Sequence, residues 1–566
     1  MMRRILVGSC LTFLSLVLSL PRVAAAAGAK PNLVLITLDS VRADRVGFLG
    51  AKGVSTPNLN HLVGESFLFD HAYAQSPGTV VSHATILSGT YPQGTGFNEI
   101  GGVLPSSLPY LPDLLKGQGY KTAAFVGSID LDPWSGVAQG FDRGFQSYDA
   151  GFRPVMPGDA RPPVMERGGA EVAAHAVAWL GRNAKGPFFL WVHISDARSA
   201  RTGYNAALGA ADAAVGKILT ALQAQKVEAN TAVVVVADHG QSLGAHGEDG
   251  HGIFLYDETI RVPLLVRLPE AKPAAKQVSA KVRLVDVAPT LLEIAGISVP
   301  SQMQGQSLLR VAKSGGGSDQ PVYSRSDFSQ RGFGWSPLES WRAGKYLYIR
   351  APKPELYDMT ADPGAAHNIA QTSKATADTL ASQLDAFDKR FSGESGGKSS
   401  TLTSAEMQKL ASLGYIGIQK ASGGTAAVTG TDPKDKIATA NKVTGATGVA
   451  PEKAIAALTP VVAGDGNLYL AEYTLGLALA RKGQYADAAK HLHKAVELQP
   501  DSGWANYEIG ATLLKTGDFK TAATHLELAT PRLPGFAAAH GALATAYEKL
   551  GRTDDAKKEQ SKAGGK

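Results

Sequence analysis

Three continuous apolar runs in this chain end in an aspartate: "NLVLITL" before Asp39, "TAVVVVA" before Asp238 and "FFLWVHIS" before Asp196. Runs of this kind, apolar without polar alternation, suit strands of a parallel sheet covered on both faces. "TAAFVG" and "VPLLVRLP" read the same way, and helical stretches such as "AEVAAHAVAWLGRNA" and "AADAAVGKILTALQA" lie between them. Strand and helix alternating over residues 28–315 imply an α/β sandwich. In an open α/β sheet, ligands bind beyond the carboxyl ends of the strands. One aspartate there could be a helix cap. Three of them, with His239 directly after Asp238, point to a site. Carboxylates gathered at one edge repel unless a cation lies between them, so a divalent metal with O and N ligands is the economical expectation.

Residues 316–417 change character. "SWRAGKYLYIRAPKPELYDM" reads as two short strands joined by a Pro-containing turn, and "KATADTLASQLDAFDKRF" as a following helix. This predicts a small α+β subdomain packed on the first. "TSAEMQKLASLGYIG" reads as another helix with Ser404 at its N-cap, and the Gly-rich residues 418–433 read as a linker. Residues 434–566 are a repeat: Gly476 and Gly510, Leu492 and Leu526, and Ala488, Ala522 and Ala556 all keep a 34-residue interval. That period resembles the tetratricopeptide repeat, with units at 469–502, 503–536 and 537–564. "EKAIAALTPVVAG" matches the second half of an earlier, eroded unit. Such an all-α array implies a protein or peptide partner in its groove, the alternative being a structural spacer.

At the N-terminus two arginines precede an apolar run from Ile5 to Leu20, then Pro21 and an Ala-rich segment. The pattern is that of a secretory signal peptide over 1–27, with export to the periplasm or beyond. The run is short for a membrane span, so none is expected after cleavage. Cleavage near Ala26 removes Arg3, Arg4 and Arg22 and lowers the net charge from +6 to about +3. That surplus is too small to imply nucleic acid or a membrane surface. Cys10, the only cysteine, leaves with the signal, so no disulfide or thiolate ligand is expected.

"TVVSHATILSGTYP" begins at Thr79. Locally, Thr79 and Ser82 read as N-cap residues of a helix. Together with "PNLVLITLDSVRAD", "VVVADHGQSLGAHGEDGHGIFLYDETIRVPLLVR" and "LVDVAPTLLEIAGI", however, the stretch resembles the sulfatase family of the alkaline phosphatase superfamily, over residues 31–415. The resemblance implies a mixed sheet sandwiched by helices. It implies that Asp39, Asp238 and His239 hold one divalent ion (Ca, Mg, Mn or Zn), with Thr79 as fourth ligand and nucleophile toward an anionic ester. His251 falls where many sulfatases carry a Lys, and would bind the ester or protonate the leaving group. His246 lies in the same loop.

The departures from the family pattern are informative. Sulfatases make formylglycine within "Cys/Ser-x-Pro-x-Arg". Here the stretch is Thr79-Val80-Val81-Ser82-His83, and oxidising Thr would give a ketone, so no formylglycine is expected. A sulfated or phosphorylated Thr needs a second displacement to be released, which leans toward phosphorus esters. Ser40 replaces a common Asp or Gln ligand. The usual "Asp-Pro-His" reads Asp196-Ala197-Arg198, on the strand that also carries His193, and Ala207 stands where relatives commonly have Glu. These changes weaken a second metal site more than the first. Arg198 either restores the lost positive charge toward the ester or faces solvent. Ser40, His83, His193, Asp196, Arg198 and His246 are thus candidates for substrate contact or support of the ligands. Two other readings stay open: a catalytically degenerate binding scaffold acting through its repeats, and a phosphoalcohol or sulfuryl transferase.

Overall fold

The computed structural model describes residues 30–98, 101–135, 137–152, 166–198, 203–269, 276–314, 319–392 and 430–564. The signal segment, the helix expected after Ser404 and most of the linker lie outside the described residues. Among the described residues the main sheet has nine strands, with Asn32–Leu38 near its centre. That strand pairs in parallel with Thr231–Ala237 on one side and Phe188–Ile194 on the other. Every residue of the three is buried, which is why their sequences are apolar without alternation. Leu38 is in register with both Ala237 and Ile194. The chain therefore leaves all three strands at one level, and Asp39 and Asp238 emerge side by side.

The sheet is mixed. Arg261–Arg267, which takes in "VPLLVR", runs antiparallel to Thr231–Ala237 and to Phe67–Tyr73. An apolar run reports burial on both faces but not direction, so the parallel reading of this strand is corrected here. Helix Gly169–Asn183 packs on Tyr204–Ala224, and Thr79–Ser88 on Val287–Ile294.

A second sheet joins Val322–Ser326, Leu338–Ala343, Tyr346–Arg350 and Glu355–Asp358, all antiparallel, with helix Lys374–Ser392 packed against it. "SWRAGKYLYIRAPKPELYDM" thus covers three strands rather than two. The extra reversal lies at Gly344, whose φ of +53° is left-handed and favours glycine.

The C-terminal region is a stack of helix pairs: Tyr469–Arg481 with Tyr485–Leu498, Gly503–Thr516 with Phe519–Ala529, and Ala537–Lys549 with Thr553–Ala563. Pro451–Gly464 precedes them. The repeat is physical as well as textual. A Cβ added at Gly476 would lie 2.7 Å from Leu492 Cγ, and one at Gly510 the same 2.7 Å from Leu526 Cγ. Each pair also carries one polar rung at the same two positions: Glu472–His491 (2.7 Å), Asn506–His525 (2.9 Å) and His540–Glu559 (2.6 Å), with acid and histidine exchanged in the last. Among the described residues, the C-terminal region meets the sheet region at several places, of which three bear on the site. Asn441 donates to Gly247 O at 2.7 Å and accepts from Asp249 N at 3.1 Å. Helix Phe328–Phe333 packs on Tyr469–Arg481, and Gln139 donates to Arg532 O at 2.6 Å.

The close approach at Gly510 makes a specific prediction. Gly510→Ala should destabilise the array by about 1–3 kcal/mol, because the methyl meets Leu526 inside a packed crossing. A calorimetric melt checks it. An unchanged midpoint would show that the crossing has slack.

Candidate active site

Asp39 and Asp238 are fully buried. Ser40 bridges them: its backbone N–H donates to Asp238 Oδ1 at 3.1 Å and its hydroxyl to Asp39 Oδ1 at 2.7 Å. It does so in a left-handed conformation, φ +61°, which Tyr204 secures by donating to Ser40 O at 2.6 Å. A strained non-glycine residue persists where surrounding contacts over-determine it. Burial raises the Asp238 carboxyl well above the usual range, and the neighbouring Asp39 raises it further. Burial would raise Asp39 too, but Arg198 and then His193 outweigh it and hold that carboxyl well below the usual range.

The ligand atoms of Asp39, Asp238 and His239 lie within 4.8 Å of one another. Asp238 Oδ2 is buried with no hydrogen-bond partner, 3.5 Å from His239 Nε2. An orphaned carboxylate oxygen facing an imidazole nitrogen is the donor set a divalent cation takes. These residues therefore fit a metal ion.

Thr79 completes the group. The helix begins at Thr79 itself, Gly78 holds the cap position, and no side chain caps it. Thr79 Oγ1 lies 3.0 Å from His239 Nε2 and accepts from Arg198 Nη1 at 3.0 Å. The cap reading of Thr79 is corrected, since these partners take its hydroxyl. Ser82 is no cap either, because it donates to Asp238 O at 2.6 Å. The hydrogen-bond network assigns the protons. His239 Nδ1 faces the carbonyl of Gly240 at 2.8 Å and must donate to it. Burial and then His251 hold this imidazole neutral, so Nε2 is a bare acceptor for the Thr79 hydroxyl.

The same logic runs beneath the site. His83 Nδ1 donates to Thr79 O at 2.8 Å, and its Nε2 accepts from Thr37 at 2.9 Å. Thr37 then accepts from Trp191 Nε1 at 3.0 Å and lies 3.1 Å from His193 Nδ1. His193 Nε2 faces Asp39 Oδ2 at 3.3 Å. His83 and His193 thus support Thr79 and Asp39 from below.

Arg198 faces inward. Its Nη1 reaches Asp39 Oδ2 at 3.3 Å, Thr79 at 3.0 Å and Ser128 Oγ at 3.1 Å. Its Nη2 donates to Asp130, and its Nε lies 3.6 Å from Glu166. Burial works against its charge, but Asp130, Asp39 and Glu166 outweigh burial and hold its pKa above the ordinary value. The sequence reading had no place for Ser128, Asp130 or Glu166. A signal for two of them existed, since "TAAFVG" is a sheet strand and Ser128 and Asp130 follow directly from its carboxyl end.

His251 is half-buried, its ring centroid 4.2 Å from that of His239. Its Nδ1 faces Pro77 O at 3.0 Å and donates there, which leaves Nε2 as an acceptor. Burial, reinforced by Arg198, lowers its pKa to about 4. Glu248 pins the turn after it by accepting from Ile253 N at 2.9 Å and Phe254 N at 3.2 Å.

Two candidates do other work. His246 stacks on Tyr256 at 3.7 Å and pairs with Glu258, and its Nε2 faces Ala365 O at 3.3 Å, so neither nitrogen serves the cluster. Asp196 accepts from Gly169 N at 2.9 Å and so caps the helix Gly169–Asn183. A bond to the helix amino end is a carboxylate's ordinary use at a strand end.

Residues 31–197 and 195–297 match the Sulfatase family model, 247–390 the model for the N-sulphoglucosamine sulphohydrolase C-terminal region, and 479–535 the Tetratricopeptide repeat model. The chain is 28% identical over 418 residues to an ulvan-active sulfatase of Formosa agariphila, covering 63% of this chain and 80% of that one. It is 29% identical over 367 residues to the N-acetylgalactosamine-6-sulfatase of Homo sapiens, covering 54% and 70%. Among solved structures, a phosphonate monoester hydrolase of Agrobacterium radiobacter shares the fold with a TM-score of 0.54 at 19% identity, over 64% of this chain and 96% of that one. Residues 31–390 are a sulfatase-family unit of alkaline-phosphatase-like fold, and tetratricopeptide repeats follow it.

Two outcomes follow for the metal cluster. Calorimetric titration of the chelator-treated protein with divalent ions should show one site, lost in Asp238→Asn. Replacing the supporting His193 by Leu should weaken it by about ten-fold or more. His83 supplies a pH dependence. Burial lowers its pKa from 6.5 to about 3, so only the unfolded chain takes up its proton between those values. The metal-free protein should lose stability as pH falls from 6.5 toward about 3, and His83→Gln should flatten that loss in acid-denaturation curves.

Proposed function

We propose that the sulfatase-family unit is a metal-assisted hydrolase of anionic esters with Thr79 as its nucleophile. The observation that carries this reading is the setting of Thr79 Oγ1, in the first turn of a helix and 3.0 Å from both His239 Nε2 and Arg198 Nη1. Asp39, Asp238, His239 and Thr79 would hold one divalent ion, Ca, Mg, Mn or Zn. When bound, the ion would supply Lewis acidity that favours the Thr79 alkoxide and polarises the ester. No formylglycine is required.

Arg198 donates to Thr79 Oγ1, and the helix amino end favours negative charge there. Thr79 Oγ1 attacks the sulfur or phosphorus, and the bond to the alcohol oxygen breaks. The Thr79 proton, held toward His239 Nε2, would pass to His251 Nε2, the bare acceptor of the neighbouring ring, and from there to the departing alcohol. Water then attacks the same atom, His251 accepts its proton, and Thr79 leaves with a proton restored. A threonine has no second hydroxyl from which to expel the group, so release is by this second displacement.

Sulfate esters head the substrate range, because the relatives matched over 418 and 367 residues are named as sulfatases. The Thr79 nucleophile keeps phosphorus esters within it. The repeats would recruit a protein or peptide partner, and the signal segment would export the chain. Among the described residues no helix is long and apolar enough to cross a membrane.

The test is hydrolysis of aryl sulfate, aryl phosphate and aryl phosphodiester by purified protein with added metals. Turnover should require metal and fall at least about a thousand-fold in Thr79→Ala. Turnover unchanged in that variant would remove Thr79 from the chemistry. Absence of turnover with every metal would favour a binding scaffold acting through its repeats.

A further inference from the structure

We infer that Asp130 and Glu166, set around Arg198, form a charge filter that restricts the site to esters with a single negative charge. Sulfate monoesters and phosphodiesters would pass, and dianionic phosphate monoesters would not. The inference rests on the proposed reading of Thr79 and the metal cluster as the ester-binding site.

Position supports it first. Asp39 is fully buried, whereas the side chains of Asp130 and Glu166 are 26% and 24% exposed and that of Arg198 is 20% exposed. The two outer carboxylates therefore border the guanidinium on its solvent side, where an ester approaches. Asp39 and Thr79 hold it on the inner side.

Charge supports it next. A divalent ion and Arg198 together exceed Asp39 and Asp238 by one positive charge. Asp130 and Glu166 bring that sum to one negative charge, so an ester enters through direct contact of one charged oxygen with the metal site and Arg198, and every further charge is opposed. The donors of Arg198 are also nearly spent. Asp39, Thr79 and Ser128 share the two N–H groups of Nη1, Asp130 takes one from Nη2, and Nε faces Glu166. Among the described residues, one N–H of Nη2 is left for an incoming oxygen. Direct contact with metal and guanidinium compensates one charged oxygen. A second would meet two carboxylates at short range in a partly desolvated site, where like charges repel most strongly.

The experiment is equilibrium binding to the metal-loaded full-length protein, with benzenesulfonate as the singly charged probe and phenylphosphonate, at a pH where it carries two charges, as the other. Wild type should bind benzenesulfonate at least about ten-fold more tightly. Asp130→Asn and Glu166→Gln should each narrow that gap by about three- to ten-fold. The kcat/KM ratios of aryl sulfate and of aryl phosphodiester to aryl phosphate should shift the same way, and comparing the two identifies which monoanion the site prefers. If Asp130→Asn fails to fold, Glu166→Gln, which removes the longer 3.6 Å ion pair, carries the test. An unchanged affinity ratio in a folded variant, or binding of neither probe, overturns the filter. A shifted binding ratio without turnover would keep the filter and remove the hydrolase reading.

Discussion

Two carboxylates forced together at the ends of adjacent parallel strands are the constraint on which this structure turns. The register that places Leu38 beside Ala237 leaves Asp39 and Asp238 no room to separate. Both are wholly buried, and burial of like charges is costly unless a cation or a proton intervenes. Much of the surrounding structure answers that cost. Ser40 adopts a left-handed backbone to donate to both, Ser82 accounts for the Asp238 carbonyl, and His193 backs Asp39. What remains unanswered is one oxygen, Asp238 Oδ2, and it faces His239.

Arg198 gives the site its individual character. It brings a permanent positive charge to Thr79 and carries two more carboxylates with it. One guanidinium thus links the charge state of the buried cluster to that of the rim. The repeat array adds mechanical support, since Asn441 clasps the Gly247–Asp249 turn just before His251, and Arg532 accepts from Gln139. The array is therefore joined to the loops around the site and is not simply tethered by a linker.

The fold was legible because its signals are redundant. Apolar strands ending in Asp, and a 34-residue spacing that places Gly476 and Gly510 against Leu492 and Leu526, each repeat one physical demand several times. Strand direction at Arg261–Arg267 and the extra reversal at Gly344 were not legible, since burial carries no direction and a turn of a few residues carries little pattern. Within the site, Asp39, Asp238, His239 and Thr79 could be named from strand ends and resemblance together. Sharing a loop with His251 was a weak signal for His246, which turns instead to Tyr256 and Glu258. Asp196 looked identical to Asp39 in sequence, yet a helix amino end lay within its reach. Glu166 was invisible, because only tertiary packing brings it to Arg198.

The central claim is that Thr79 forms the covalent bond to the ester's acid group. The most direct measurement is mass spectrometry of the metal-loaded protein, acid-quenched during turnover of an aryl ester and digested to peptides. The account predicts a sulfuryl or phosphoryl adduct on the peptide that contains Thr79. Steady turnover with the adduct on another residue would contradict it.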